Sequence, residues 1–93
     1  MSRDSHELDP LKGTLVVVDT ATPYLYIGTL KAWTDHFIVL ADADVHDVSE
    51  GGSTKEMYAL ESARNNVQKN RREVIVRMDC VVSISRLSDV IVY

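Results

Sequence analysis

The chain has 93 residues, of which 45% are hydrophobic and 26% charged, and its formal net charge is −4. This length suits one small domain, which buries only about two-thirds of its unfolded surface and therefore gains from assembly. The acidic balance argues against a general binder of polyanions. No apolar run approaches the roughly 20 residues of a membrane helix, so we expect no membrane contact.

The N-terminal residues and the cysteine content both favour a cytoplasmic protein. Residues 1–7 are polar and lack the apolar stretch of a secretion signal. Cys80 is the single cysteine, so no disulfide forms within the chain, and a cysteine in a strand usually behaves as a small hydrophobic residue. We therefore expect a cytoplasmic location.

A polar lead and a first strand open the chain. Residues 1–13 are polar and rich in turn-forming residues, with room for about one turn of helix. The β-branched run over residues 15–18 predicts the first strand. Pro23 ends the turn after this strand, because proline fixes φ and cannot donate a hydrogen bond to a neighbouring strand.

Four more strands are predicted further along. Residues 24–33 predict a long second strand, in which Gly28 predicts the bend or bulge that a small barrel requires. Residues 37–44 predict a third strand. Two β-branched segments, residues 74–76 and 81–85, predict the last two strands, with a tight polar turn between them.

Residues 49–72 predict a helical insertion between the third and fourth strands. Ser53 and Glu56 fit a capping box, and the residues that follow, rich in Ala, Glu and Leu, predict a helix over residues 53–68. Arg64 interrupts its thin apolar stripe. The three apolar residues of that stripe are Met57, Leu60 and Val67. The insertion could cover the edge of the barrel, contact a partner or protrude as a spacer, and the sequence leaves these alternatives open.

Two motifs in this order resemble those of the Sm and LSm family. Residues 26–30, Tyr-Ile-Gly-Thr-Leu, are similar to the aromatic-x-Gly-x-Leu element of the first motif. Residues 35–44 are similar to the strand that follows it. The second motif has an apolar strand, then Arg, Gly and Asp or Asn, then another apolar strand, and residues 74–85 resemble it. Arg77 and Asp79 match this motif, and Met78 replaces the usual Gly.

The resemblance implies both a fold and a function. It covers residues 14–45 and 73–86, so we expect residues 1–93 to form a single Sm-like domain. The implied fold is mainly β, a five-stranded, strongly bent antiparallel small barrel with a helical insertion between strands 3 and 4. The implied function is the binding of single-stranded RNA by a homo-oligomeric ring through two pore loops. The pore-loop residues are Asp35, His36, Phe37, Arg77, Met78 and Asp79.

The chemistry of these loops independently favours binding over catalysis. Arginine offers a planar, permanently charged fork that suits phosphate groups or base edges. His36 and Phe37 can stack on unstacked bases, which is how many proteins recognise single-stranded RNA. A histidine beside Asp35 resembles part of an acid–base pair, but no motif places a nucleophile next to it. We therefore expect no enzyme activity and no small-molecule substrate.

Positive charge is concentrated late in the chain. Residues 1–49 hold three Lys or Arg and eight Asp or Glu, whereas residues 50–93 hold seven and six. The excess gathers in Lys69-Asn70-Arg71-Arg72. This run could steer RNA to one face of the protein, although a solvated helix end is the more common use of such a run.

Two other groups of side chains have simpler interpretations than a binding site. Asp42, Asp44 and His46 alternate, so on a strand they share one face and could hold a divalent metal. We expect instead an exposed strand face, with no metal and no cofactor. The aromatic residues Tyr24, Tyr26 and Trp33 could form a stacking platform, but barrel core or subunit contact is the expected use of this pattern.

One alternative function belongs to a different class. A protein of this family could keep the ring and lose the RNA, acting as a non-catalytic scaffold or protein-interaction module. The acidic net charge and the methionine in place of the usual Gly favour this alternative. The family also usually carries Met-Asn where this chain has Phe37 and Ile38, and that Asn reads a base in its RNA-binding members.

Overall fold

The computed structural model describes residues 5–92, with side chains described from Glu7 onwards. Part of the predicted polar lead therefore lies outside the described residues. Helix α1 (Ser5–Leu8) provides the expected helical turn and continues into a 3-10 turn over Asp9–Leu11. Neither helix among the described residues combines the length and the apolar character needed to cross a membrane.

Five strands form one antiparallel sheet in the order β4-β3-β2-β1-β5. Their bounds are β1 Leu15–Thr20, β2 Tyr24–Trp33, β3 Phe37–Asp47, β4 Arg71–Arg77 and β5 Val81–Arg86. The predicted mainly β fold is confirmed. The helical insertion lies between β3 and β4, as expected.

The two faces of the sheet carry separate apolar clusters, because successive side chains of a strand point to opposite faces. The inner cluster consists of the buried residues Val16, Val18, Leu30, Ile38, Leu40, Ala43 and Val76. The outer cluster consists of the buried residues Val17, Leu25, Ile27 and Leu87. Strand β1 therefore contributes to both clusters, with Val17 facing away from its two neighbours.

The bend predicted at Gly28 is present. The pairing of β2 with β3 shifts register between Ile27 and Thr29, directly around Gly28. A Cβ atom placed on Gly28 would lie 2.9 Å from Cβ of Ala43 and 3.1 Å from the carbonyl oxygen of Ala41. On the facing strand, Asp42 has a φ of 50°, in the left-handed region. The two strands therefore approach closely only because position 28 has no side chain.

Substituting Gly28 by Ala tests this close approach. The Cβ must displace Ala43 or its backbone, and overpacking of this kind typically costs about 1–3 kcal/mol of unfolding free energy. Gly52→Ala is the matched control, because a Cβ at Gly52 has no heavy atom within 4 Å. Urea unfolding should show a lowered midpoint for Gly28→Ala alone. Equal midpoints for the two variants would contradict the packing described.

Helix α2 (Lys55–Arg64) differs in detail from the helix predicted over residues 53–68. Its N-cap is Thr54, whose Oγ1 accepts a hydrogen bond from the Met57 amide at 3.1 Å. The predicted capping box starting at Ser53 is therefore wrong by one residue. The helix also ends earlier than predicted, since Asn65 is its C-cap.

Helix α2 packs on the outer face of the sheet through a different stripe from the one predicted. Tyr58, Ala59 and Ala63 pack against the outer cluster, together with Val67 beyond the helix end. Met57 is 55% exposed, so its assignment to the buried stripe is wrong. The spacing of the apolar residues was compatible with more than one buried face of the helix. The position of the sheet decides which face is buried. The insertion therefore covers the outer face of the sheet and not its edge, and a contact with a partner stays an open alternative.

A buried polar network holds the insertion to β3. Asp44 is only 1% exposed, so the expectation of an exposed strand face is wrong at this position. Its carboxylate accepts a short hydrogen bond from the Tyr58 hydroxyl and a second, at 3.1 Å, from the Asn70 side-chain amide. The His46 ring stacks on Tyr58 with centroids 3.7 Å apart. Asp44 is thus satisfied by groups from the insertion, as a buried charge requires.

A second anchor lies at the start of α2. The Lys55 Nζ donates to Asp19 Oδ1 at 2.7 Å and to the carbonyl oxygens of Thr20 and Thr22 at 2.8 and 2.6 Å. All three acceptors belong to the end of β1 or the turn that follows it. The insertion is therefore fixed to the barrel at both ends, and it does not project as a spacer.

The Tyr58→Phe variant tests the network. Loss of the hydroxyl leaves the buried Asp44 carboxylate short of one donor, which typically costs about 1.5–3 kcal/mol of unfolding free energy. Burial and the hydrogen bond to Asp44 raise the pKa of Tyr58. The folded protein therefore holds this proton to higher pH than the unfolded chain does. The stabilisation of the folded state by protonated Tyr58 is complete below about pH 10, the ordinary pKa of tyrosine. It is lost as the pH rises from there through the higher pKa of Tyr58 in the folded protein.

Chemical denaturation at pH 7 and in steps from pH 9 to 11 provides the measurement. The wild type should lose stability more steeply than Tyr58→Phe in the upper part of this range. A variant that matches the wild type at every pH would show that the hydroxyl does not stabilise Asp44.

Candidate functional site

The loop between β2 and β3 is held by one threonine. The Thr34 amide donates to the Phe37 carbonyl oxygen at 2.8 Å and closes the hairpin. Its Oγ1 accepts hydrogen bonds from the amides of His36 and Phe37, both at 3.1 Å. Hydroxyl-to-amide bonds of this kind are typical of threonine in turns. The loop therefore presents Asp35 and His36 in a defined conformation.

The second loop is the 3-10 turn Met78–Cys80 that joins β4 to β5. Its first amide, that of Met78, donates to the His36 carbonyl oxygen at 2.7 Å. The two loops are therefore bonded directly to each other. They meet because β3 pairs with β4, with Phe37 opposite Arg77.

Met78, at the position where the motif usually has Gly, is compatible with the observed turn. Asp42 is the one residue other than glycine that has a positive φ between residues 5 and 92. The turn at Met78 is right-handed, so it does not require a glycine. The Met78 side chain packs partly against the inner cluster. This substitution therefore fills space beside the loop and adds no backbone strain.

All six predicted site residues line one open pocket of about 500 Å³, three from the β2–β3 loop with the first residue of β3 and three from the end of β4 with the turn that follows it. These residues are Asp35, His36, Phe37, Arg77, Met78 and Asp79. The His36 and Phe37 rings lie edge to face, with centroids 6.4 Å apart and planes at 70°. Phe37 is 45% exposed, although it starts a strand. The pocket therefore combines aromatic surface with charge.

Charge in the pocket is mixed, and the charged groups are solvated. The Arg77 Nη2 lies 2.6 Å from Asp79 Oδ2, and both side chains are mostly exposed. An exposed pair of this kind contributes about 0–1 kcal/mol, so an incoming anion can compete for the guanidinium at small cost. Asp35 adds a second carboxylate. The pocket can donate hydrogen bonds through Arg77 and accept them through the carboxylates.

Two features of the site were not predicted from the sequence. Thr34 organises the first loop, and the signal for it was a threonine two residues before His36 in a turn. A neighbouring apolar pocket of about 260 Å³ shares Asp35 and Met78 with the first and is also lined by Trp33 and Leu8. Helix α1 packs beside the sheet and so creates this second pocket. No local sequence motif predicts it.

Solved structures with the same architecture identify the fold. An Sm protein from Pyrococcus abyssi, solved in complex with a uridine heptamer, matches with a TM-score of 0.62 and 22% identity, over 91% of this chain and 99% of that chain. An Sm-like protein from Archaeoglobus fulgidus matches with a TM-score of 0.60 and 15% identity, over 92% and 96% of the two chains. The chain has the Sm fold.

These likenesses confirm the Sm-like architecture that the two sequence motifs implied. The match extends over nearly the whole of both solved chains, so the insertion helix α2 is compatible with the Sm fold. No protein-family model matches the sequence, and no curated protein does. The Sm fold of this chain is therefore recognised from its structure and from the two short motifs.

Substituting Thr34 by Val tests the organisation of the first loop. The change removes the oxygen that accepts from the amides of His36 and Phe37, and a lost acceptor of this kind typically costs about 1 kcal/mol. Hydrogen exchange at these two amides should become roughly fivefold faster or more. Thr34→Ser is the matched control, since it keeps the hydroxyl. Equal exchange in the two variants would show that Thr34 does not hold the loop.

Proposed function

We propose that this protein is a non-catalytic, RNA-binding Sm-like protein that binds single-stranded RNA in the pocket formed by its two loops. The observation that carries the proposal is the convergence of Arg77, His36 and Phe37 on one open pocket. A charged fork beside two aromatic rings is the combination that recognises unstacked bases and the phosphates between them.

The geometry of the pocket supports a specific division of roles. His36 and Phe37 offer surfaces on which a base can stack, and stacking on an aromatic side chain is typically worth about 1–3 kcal/mol per base. Arg77 reaches the same space from the facing loop and can donate to a base edge or a phosphate. Asp79 orients the guanidinium when no ligand is bound, since their atoms lie 2.6 Å apart.

The Pyrococcus abyssi Sm protein supports the choice of ligand, because it was solved with a uridine heptamer. That complex is a property of the archaeal protein. It makes uridine-rich RNA the first ligand to test with this chain.

The proposal includes a closed homo-oligomeric ring. Strands β4 and β5 lie at the two ends of the sheet, and each exposes an apolar side chain. Ile75 of β4 is 58% exposed and Val82 of β5 is 65% exposed. Open strand edges of this kind invite pairing with other chains. A ring in which β4 of one copy pairs with β5 of the next leaves no open edge.

A scaffold without RNA is the second candidate function. The net charge of −4 and the ion pair of Arg77 with Asp79 favour it, because both reduce the attraction of the pocket for a polyanion. In this alternative the ring persists and its surface binds proteins. RNA binding therefore separates the two candidates.

Substitution of Arg77 by Ala should weaken the binding of a fluorescent oligouridine roughly 10- to 100-fold, because a lost hydrogen bond to a charged group costs about 1.5–3 kcal/mol. His36→Ala should weaken it through the loss of stacking, by about 1–3 kcal/mol. Fluorescence anisotropy at low and moderate salt is the measurement, with an oligoadenylate as the second probe.

Arg72→Ala is the control, since it removes an exposed arginine that does not line the pocket. Its effect should appear mainly as a reduced dependence of affinity on salt, as counterion release predicts. If the wild type binds neither oligonucleotide at low salt, RNA binding is excluded and the scaffold function takes its place.

Light scattering coupled to size-exclusion chromatography tests the ring. The wild type should elute at a multiple of its 10.4 kDa monomer mass at micromolar concentration. Arg77→Ala and His36→Ala should leave this mass unchanged, because both side chains line the pocket and alanine keeps the backbone groups through which edge strands pair. A monomeric mass for the wild type would exclude the ring.

A further inference from the structure

The pocket formed by the two loops, which we call the loop pocket, has few side chains that can form hydrogen bonds with the edge of a base. They are Asp35, His36, Arg77 and Asp79. None of the described residues that line the pocket is an Asn or Gln, whose amide both donates and accepts. An ionised carboxylate only accepts hydrogen bonds, and a guanidinium only donates them. The composition of the pocket therefore restricts which base edges it can bind.

The two carboxylates of the loop pocket differ in their surroundings. Asp79 Oδ2 lies 2.6 Å from Arg77 Nη2, so this carboxylate is already paired with the guanidinium. Asp35 accepts no hydrogen bond and forms no ion pair with any of the described residues. It is exposed, and the hydroxyl of Thr34 holds the loop on which it lies. Asp35 therefore offers two open acceptor oxygens from a loop of defined conformation.

Aromatic surface lies directly beside this open carboxylate. His36 follows Asp35 in the chain, and its ring lies edge to face with that of Phe37. Stacking on an aromatic ring is available to every base, because every base has a π face. Stacking therefore holds a base in the loop pocket without distinguishing one base from another. The choice between bases depends on the hydrogen-bonding groups around the rings, above all Asp35 and Arg77.

Guanine is the base whose edges complement a free carboxylate and a guanidinium together. Its N1–H and its 2-amino group are adjacent donors, which match the two oxygens of one carboxylate. Its O6 and N7 are adjacent acceptors, which match the fork of an arginine. Uracil has one N–H donor between two carbonyl oxygens, so a carboxylate that approaches this donor also approaches an acceptor. In adenine and cytosine the amino group likewise lies beside a ring nitrogen that accepts.

We propose that Asp35 makes the loop pocket selective for guanosine over uridine in single-stranded RNA. The Asp35 carboxylate accepts from N1–H and the 2-amino group of a guanine stacked on the aromatic rings. Arg77 donates to O6 and N7 from the facing loop, since its pair with Asp79 uses only one of its nitrogens. Uridine still stacks and still brings phosphates to Arg77, so it binds more weakly and is not excluded. The inference rests on the RNA binding of the proposed function and adds which base the pocket prefers.

RNA heptamers that differ at one position test this preference in the wild type. One is oligouridine, the second has guanosine at its centre, and the third has inosine there, which is guanosine without the 2-amino group. A single guanosine per strand avoids the formation of guanine quadruplexes. Fluorescence anisotropy should show that the guanosine heptamer binds roughly tenfold more tightly than oligouridine, as expected for a bidentate contact with a base. The inosine heptamer should bind with intermediate affinity, because it keeps one of the two donors that face Asp35.

The Asp35→Asn variant tests the residue itself. The amide keeps the shape of the side chain but replaces one acceptor by a donor, so it suits an N–H and a carbonyl of uracil better than the two donors of guanine. The ratio of guanosine to uridine affinity should therefore fall from roughly ten to about one or below. Asp42→Asn is the matched control, because it removes the same charge outside the loop pocket and Asn tolerates the φ of 50° found there. This control should keep the ratio of the wild type.

The outcomes separate base preference from RNA binding. Equal affinities of the wild type for the guanosine and uridine heptamers, or tighter binding of oligouridine, would overturn the preference and leave RNA binding in place. A ratio that falls equally in Asp35→Asn and Asp42→Asn, or in neither, would show that Asp35 does not select the base. A wild type that binds none of the heptamers at low salt would overturn both proposals. Light scattering should give the wild-type mass for both variants, since both side chains are exposed.

Discussion

The close approach of β2 and β3 at Gly28 is the constraint on which the other features depend. With no side chain at Gly28, the sheet shifts register there and bends, so that one face encloses the inner cluster. Strand β4 pairs with β3 only over residues 37–43. The rest of β3, beyond the bend, turns its outer face to α2. The bend therefore divides one long strand into a part that pairs with β4 and a part that contacts the insertion.

The buried carboxylate of Asp44 shows how this division is stabilised. A charge so deeply buried requires compensating donors, and Tyr58 of α2 and Asn70, just before β4, supply them. The insertion is thus an integrated layer over the outer cluster. This integration places Glu56 and Met57 beside β5, where they line a groove together with Ser85 and Ile91.

The loop pocket and the insertion occupy different parts of the same sheet, the pocket at the turns where β3 and β4 meet and the insertion on the outer cluster. The loop pocket carries a single guanidinium, so one copy offers little attraction for a polyanion. A ring repeats the pocket, and contacts along one RNA strand then reinforce each other through effective concentration. Assembly and RNA binding are therefore linked in this proposal, since an acidic chain of net charge −4 depends on repetition more than on bulk charge.

The sequence by itself determined the number of strands, the bend at Gly28 and the six residues of the loop pocket. The third and fourth strands are longer than predicted, since β3 runs to Asp47 and β4 starts at Arg71, within the predicted insertion. Alternation, β-branched runs and turn residues are local signals, and the two short motifs ordered the strands in a known fold. The second strand was predicted with its observed bounds, Tyr24–Trp33. The cap at Thr54 was missed by one residue, because Ser53 and Thr54 have the same capping chemistry and only the helix start selects between them.

Tertiary structure decided the features that depend on distant partners. From the sequence, Asp44 was expected on an exposed strand face. Its hydrogen-bond donors, Tyr58 and Asn70, lie 14 and 26 residues further along the chain, in the insertion. Contact with the outer cluster likewise decided which face of α2 is buried. The spacing of apolar residues along the helix did not predict that face. The pocket itself requires the pairing of Phe37 with Arg77, 40 residues apart. Local sequence fixes what each segment can form, and long-range packing selects which of its faces and polar groups are used.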